Sequence, residues 1–268
     1  PDDMIQVQML GDLFRRMNKP LEALPLYEKL HARGPTGQEL RELLQILADL
    51  YRATGDHQRS VDTYEALSKS FPQERSYCLE RIAFVYAGWG RKDKAAEYAE
   101  LMLRDQPTNL GAHIRAAQRF LDIGEKKRAE EIYVRAIALA GSPREQEELK
   151  FQLAQIYLQD GRFDDAIARY RQVAKAGEPA SQRAEGQWRV GWGYYRMARY
   201  REASDQLHVL VDQHDGDFEP QALYWMGRAA ELSLQPQARD VYVRLCQRYV
   251  YTYYCQLARE RVDMPLPE

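Results

Sequence analysis

Apolar and small residues return along this chain at helical spacing, in units of two short helices. Between Ala184 and Leu210, Val190, Gly191 and Tyr194 share one face of a predicted helix, and Ala203, Leu207 and Leu210 share one face of the next. Positions i, i+3, i+4 and i+7 give each helix a single buried stripe. The order is kept upstream, where the aromatic is Phe14, Tyr51, Tyr86, Phe120, Tyr157 and then Tyr194. Nine residues later stand Ala23, Ser60, Ala95, Ala129, Ala166 and Ala203, and four beyond these Tyr27, Tyr64, Ala99, Tyr133, Tyr170 and Leu207. A seventh copy, one residue shorter in its turn, runs through Met226, Gly227, Ala230, Ala238, Tyr242 and Leu245.

The aromatics are 37, 35, 34, 37 and 37 residues apart, which fits a unit near 34 with small insertions between copies. Repetition on this scale decides architecture before any motif does. Asn18, Gly55, Gly90, Gly124 and Gly161 punctuate the turns inside pairs. Pro35, Pro72, Pro107, Pro143, Pro179 and Pro220 separate the pairs, while Pro20 and Pro236 suit opening turns of second helices. Pro25 falls inside a predicted second helix, so that helix is expected to start late or its unit to be irregular. The most polar junction, around residues 212–221, is the expected bend. Tyr249–Val262 reads as one more helix, entered through Thr252, with Tyr254, Leu257, Ala258 and Val262 inward. Past Met264 the proline-rich tail is expected to fray.

These seven copies resemble tetratricopeptide repeats (TPR) over essentially the whole chain. The resemblance implies an all-α fold, a right-handed superhelix of about seven helix-turn-helix repeats near 4–37, 41–74, 76–109, 110–143, 147–180, 184–217 and 220–248. A capping helix and frayed tail then fill 249–268. The first helices are expected to line the concave side. Residues six and two before each aromatic, and one and two after it, are expected to face the groove. They are polar and charged in the first two repeats and turn aromatic in the later ones. The binding candidates are Phe84, Phe151, Gln155, Trp188, Trp192, Tyr195, Arg196, Tyr224 and Arg228. Trp, Tyr and Arg gathered in a concavity have the composition of a binding hot spot. The rival reading has these rings buried in internal packing. The Lys/Asn clamp by which some members of the family hold a peptide carboxylate is missing.

A narrower resemblance covers roughly residues 184–262. Ala222-Leu223-Tyr224-Trp225-Met226-Gly227-Arg228-Ala229, followed by Tyr253-Tyr254-Cys255-Gln256-Leu257-Ala258, is similar to the end of the helical superhelix of soluble lytic transglycosylases, with Cys255 in place of their glycine. This implies a periplasmic setting in a bacterial cell envelope, with a cytoplasmic one as the alternative. Their catalytic domain has no counterpart here.

Composition narrows the classes. Lys plus Arg is 38 against 40 for Asp plus Glu, a net charge of −2. That balance gives no reason to expect nucleic acid or an anionic membrane as partner. No apolar run approaches the roughly 20 residues that span a bilayer. The opening Pro1-Asp2-Asp3 shows no basic or apolar targeting region, so a targeting signal is expected to be absent or cut away, and the chain to have been excised from something longer. Cys78, Cys246 and Cys255 lack metal spacing. Cys246 and Cys255 are near enough to meet across a turn, but read as two helix-packing thiols.

No cofactor motif and no enzyme is visible. Ser204, Asp205 and His208 share one helix, on what reads as its outer side, whereas a working triad converges from different elements. Glu147-Glu148 and Asp164-Asp165 read as helix-start acids. The expected function is therefore a non-catalytic scaffold that binds a protein or peptide through its concave face. The alternative is a glycan-guiding accessory of a peptidoglycan-cleaving enzyme, with Trp188, Trp192 and Tyr195 on the sugar. A third reading is self-association through terminal repeats.

Overall fold

The computed structural model describes residues 2–176, 180–213 and 218–263, and among these all regular structure is helical. The chain divides into two compact units, Pro1–Leu139 and Ala140–Glu268. Unit 1 holds α1 (Asp2–Arg16), α2 (Pro20–His31), α3 (Gly37–Ala53), α4 (His57–Ser70), α5 (Arg75–Gly88), α6 (Lys92–Asp105), α7 (Leu110–Asp122) and α8 (Lys126–Leu139). Unit 2 holds α9 (Pro143–Gln159), α10 (Phe163–Ala176), α11 (Ala180–Arg196), α12 (Tyr200–Asp212), α13 (Glu219–Leu232), α14 (Ala238–Arg248) and α15 (Tyr253–Val262). Within each unit every helix packs on the next, so helix pairs stack into an α-solenoid.

The repeating positions are the core. The residue thirteen after each aromatic (Tyr27, Tyr64, Ala99, Tyr133, Tyr170, Leu207 and, in the shorter copy, Tyr242) is buried in every copy. Opposite three of these side chains the first helix carries glycine. A Cβ at Gly11 would come within 2.9 Å of the Tyr27 ring, and one at Gly191 within 2.5 Å of Leu207. Turns inside pairs take the left-handed conformation at Asn18, Gly55, Gly90, Gly124 and Gly161, as expected. The last two pairs use Ala198 and Leu234 instead, which side chains rarely favour.

Helix starts follow local chemistry. Asp56, Asn109 and Thr252 each accept a hydrogen bond from a backbone N–H three residues on. Ser142 and Glu145 form a capping box at α9, with Pro143 in its first turn. Glu147 differs from the expected helix-start acid. It is buried one turn further in and pairs with Lys150 at 2.7 Å. Pro25 corrects the expectation of a late start, because α2 runs from Pro20 straight through it. The carbonyl that loses its donor belongs to Leu21, which is exposed, so water can take the donor's place. Pro236 lies just ahead of α14, outside its opening turn. The expected bend falls partly, and the frayed tail wholly, outside the described residues.

The largest correction concerns the cysteines. Cys246 on α14 and Cys255 on α15 form a disulfide, with Cα atoms 4.9 Å apart, while Cys78 is free and buried. Helical periodicity did not reveal it because the turn at residues 249–252 folds α15 back onto α14. Closing so short a loop is worth about 2–3 kcal/mol on chain-entropy grounds. Cys255→Ser, or wild type with excess dithiothreitol, is therefore expected to melt several degrees lower. Identical melting curves with and without reductant would exclude a stabilising bridge.

Candidate functional site

The first helices of unit 2 bring together the aromatic residues singled out from sequence. Trp188, Trp192 and Tyr195 lie four and three residues apart on α11, so their rings form one row. Trp188 and Trp192 stack with centroids 5.9 Å apart, and Trp192 and Tyr195 at 5.5 Å with 6° between planes. Trp225 on α13 presents its edge to Trp192 at 4.6 Å and to Tyr195 at 4.9 Å. Aromatic pairs in such stacked and edge arrangements hold one another rigidly. Arg228, one turn on from Tyr224, bonds Glu231 at 2.7 Å. Burial raises the Tyr195 pKa and nearby Arg228 opposes the rise.

Two expected groove residues belong to the core instead. Trp188 is 9% exposed and Tyr224 7%, both within one buried cluster with Leu207, Leu223, Tyr242 and Cys255. Tyr224 packs on Tyr242 and on Tyr254 of the capping helix. Their register alone placed them in the groove, but Trp188 is buried in a cluster with side chains of α12 and α13, and Tyr254 of α15 packs on Tyr224. Trp192, Tyr195 and Trp225 remain partly exposed. Arg196 is exposed and stands over Phe163, away from the row. Phe151 and Gln155 are half-buried on α9, with the Phe151 ring edge-on to Tyr170 at 5.4 Å and under Arg189.

Phe84 lies in unit 1, 37% exposed, with the guanidinium groups of Arg52, Arg81 and Arg119 at 5.5, 5.7 and 4.8 Å from its ring. Asp49 pairs with Arg52 and Arg81, and Asp122 with Arg119, so this cluster is locally compensated. At the start of the same unit, α1 exposes Ile5, Met9 and Leu13, a face of the kind that self-association would require.

Trp225 was missed, and so was its register. It stands five residues before the aromatic position, as do Arg81, Arg115 and Arg189. Each reaches back to the preceding first helix: Arg81 to Asp49, Arg115 to Glu80, Arg189 to Phe151 and Trp225 to Trp192. The recurrence of Arg or Trp at this position was the available signal.

Catalytic chemistry is not assembled around Ser204. Its side chain is buried, which corrects the outer-face reading, while Asp205 and His208 point outward. His208 pairs with Asp212 at 2.9 Å, not with Ser204. Among the described residues no three metal-ligating side chains come together, and no helix is long and apolar enough to cross a membrane.

Comparison with known proteins agrees with the repeat pattern. Tetratricopeptide-repeat family models match residues 42–74 and 114–181. The Photosystem I assembly protein Ycf3 of Synechococcus sp. (strain CC9605) is 30% identical over 70 residues, 26% of this chain and 40% of that protein's length. Among solved structures, a tetratricopeptide repeat protein from Parabacteroides merdae ATCC 43184 superposes with a TM-score of 0.51 at 13% identity, covering 98% of each chain. The C-terminal part of a TPR repeat-containing protein from Cytophaga hutchinsonii gives a TM-score of 0.54 at 16% identity, over 80% of this chain and 84% of that one. At such identities the structural likeness is one of fold. The chain contains tetratricopeptide repeats.

Proposed function

From the premise of tetratricopeptide repeats, we propose that unit 2 is a docking module for a protein or peptide partner, seated on the ring set of α11 and α13. The observation that carries this reading is the partly exposed group Trp192, Tyr195 and Trp225, held in fixed mutual geometry beside Arg228. Rigid aromatic rings next to a guanidinium lose little entropy on binding and supply the residue types that dominate interface energetics. Apolar or aromatic side chains of the partner would lie against Trp192 and Tyr195. The charge balance of the chain favours neither nucleic acid nor an anionic membrane.

The setting we infer is an oxidising compartment, the periplasm of a bacterial envelope. Its support is the Cys246–Cys255 bond, since disulfides persist chiefly outside the reducing cytosol. A second reading has its own observation in favour: nearly coplanar Trp192 and Tyr195 rings also suit the apolar face of a sugar. With the resemblance to lytic transglycosylases, this would make unit 2 a guide for peptidoglycan strands.

The test pans a displayed peptide library on the full chain and titrates selected peptides, and separately muropeptide oligomers, against intrinsic Trp fluorescence. Selected peptides are expected to bind saturably. Trp192→Ala and Trp225→Ala are each expected to weaken them by about tenfold or more, as hot-spot truncations do. Saturable binding of muropeptides alone would replace the peptide reading by the glycan one. Binding unchanged in both variants would remove the ring set as the site.

A further inference from the structure

One set of repeat positions, hydrogen-bonded together in unit 1, recurs in unit 2 with a single chemical change. In unit 1 the Tyr64 hydroxyl donates to the Asp49 carboxylate at 2.9 Å. Arg81 donates to the Tyr64 oxygen at 3.1 Å and also to Asp49, which closes a triad. The first pair repeats the acid–hydroxyl part, with Tyr27 donating to Asp12 at 2.6 Å and accepting from Arg15 at 3.2 Å. Asp49 stands two residues before its aromatic, Tyr64 thirteen after it, and Arg81 five before the next. The same positions in unit 2 hold Gln155, Tyr170 and Arg189. An amide thus replaces the carboxylate.

The two groups that the carboxylate would serve are still in place. Tyr170 is fully buried, and its hydroxyl has no hydrogen-bond partner among the described residues. A buried donor left unmade is costly and rare in folded proteins. Burial pushes the Tyr170 pKa up to about 12, so the hydroxyl stays protonated and able to donate. Arg189 gives one terminal nitrogen to Glu185 at 3.0 Å, and its buried Nε has no acceptor among the described residues. A guanidinium has five N–H donors, so this pairing leaves capacity for a second acceptor. The Arg189 guanidinium stands over the Phe151 ring, which joins α11 to α9 at this point.

We propose that Gln155, Tyr170 and Arg189 form an anion subsite on the unit 2 face, and that it receives the side-chain carboxylate of an acidic residue in a peptide partner. This rests on the peptide-docking reading above and gives that partner a charge. The carboxylate would take the place that Asp49 fills in unit 1, accepting from the Tyr170 hydroxyl and the Arg189 guanidinium, with the Gln155 amide as a further donor.

The subsite can be tested without an identified partner. The isotopically labelled full chain is titrated with sodium acetate against a chloride control at equal ionic strength, following the Arg189 Nε–Hε resonance, assigned by its loss in Arg189→Lys. Wild type is expected to shift saturably with acetate. Gln155→Asp supplies its own carboxylate, and is expected to abolish the shift while raising the melting temperature. Tyr170→Phe keeps the buried ring and removes only the hydroxyl, and is expected to weaken acetate by about threefold or more, as loss of a charge-assisted donor does. A second arm compares fluorescein-labelled hexaglutamate and hexaglutamine peptides, with the first binding about tenfold tighter and Gln155→Asp erasing the difference. No acetate shift, or an equal shift in wild type and Gln155→Asp, would overturn the subsite. An acetate shift lost in Gln155→Asp, together with equal affinity for the two peptides, would uphold the subsite and overturn the peptide as its occupant.

Discussion

Tyr64→Ala is expected to destabilise unit 1 by about 3–5 kcal/mol, the range for removing a large buried aromatic. The ring is fully buried among Leu44, Val61, Leu67, Cys78, Ile82 and Val85, side chains of α3, α4 and α5, so its loss opens a cavity where three helices meet. Its hydroxyl adds a second loss. Without it, Asp49 and Arg81 keep each other but give up the shared phenol oxygen. Tyr64→Phe isolates that part and is expected to cost about 1.5–3 kcal/mol, as for hydrogen bonds to charged groups. Denaturant melts of both variants separate ring from hydroxyl. A loss below about 1 kcal/mol for Tyr64→Ala would mean the ring does not join these helices.

Gly227→Leu is the matching experiment in the opposite direction. A Cβ at Gly227 would lie 2.6 Å from Cε1 of Tyr242 and 2.8 Å from its Cδ1. The Tyr242 ring has nowhere to go: it is 2% exposed, packed on Tyr224, and bonded through its hydroxyl to Glu231 at 3.0 Å. Overpacking of this kind costs about 1–3 kcal/mol for small intrusions, and a full leucine side chain is expected to exceed that range. Gly88→Ala is the control. No atom lies within 4 Å of its added Cβ, and it ends α5 without a left-handed backbone, so it is expected to be neutral or to stabilise by up to about 1 kcal/mol. A wild-type melt for Gly227→Leu would show that α13 and α14 are further apart than described.

The helix pairs were legible because burial in a solenoid is periodic. The residue thirteen after each aromatic points inward in six copies, and its counterpart Tyr242 does so in the shorter seventh; glycine or alanine opposite it is a local consequence of close approach. Contacts between one repeat and the next were harder to read. A helical wheel sends Arg81 and Arg189 to solvent, since their partners lie on the preceding first helix, far away in sequence. Trp188 shows the converse. Its register is that of half-buried Gln45 on α3, yet the broad ring at that position joins a buried cluster with side chains of α12 and α13. Of the ring set, Trp192 and Tyr195 were readable from helical spacing alone, whereas Trp225 required knowing that α13 lies beside α11. The disulfide depended on a reversal of direction at residues 249–252, which no periodicity encodes.

The bond between α14 and α15 also changes what an end helix is. In a stack of pairs the terminal helix has a neighbour on one side only and is the first to detach. Here α15 cannot diffuse away: nine residues of chain and a covalent link hold it to α14 on both sides of the turn. Each opening is followed by a short search and re-docking, so the Tyr254 wall against Tyr224 is restored without refolding the repeat beneath it. A reductant would remove this tether and lengthen each opening, leaving the sequence as it was.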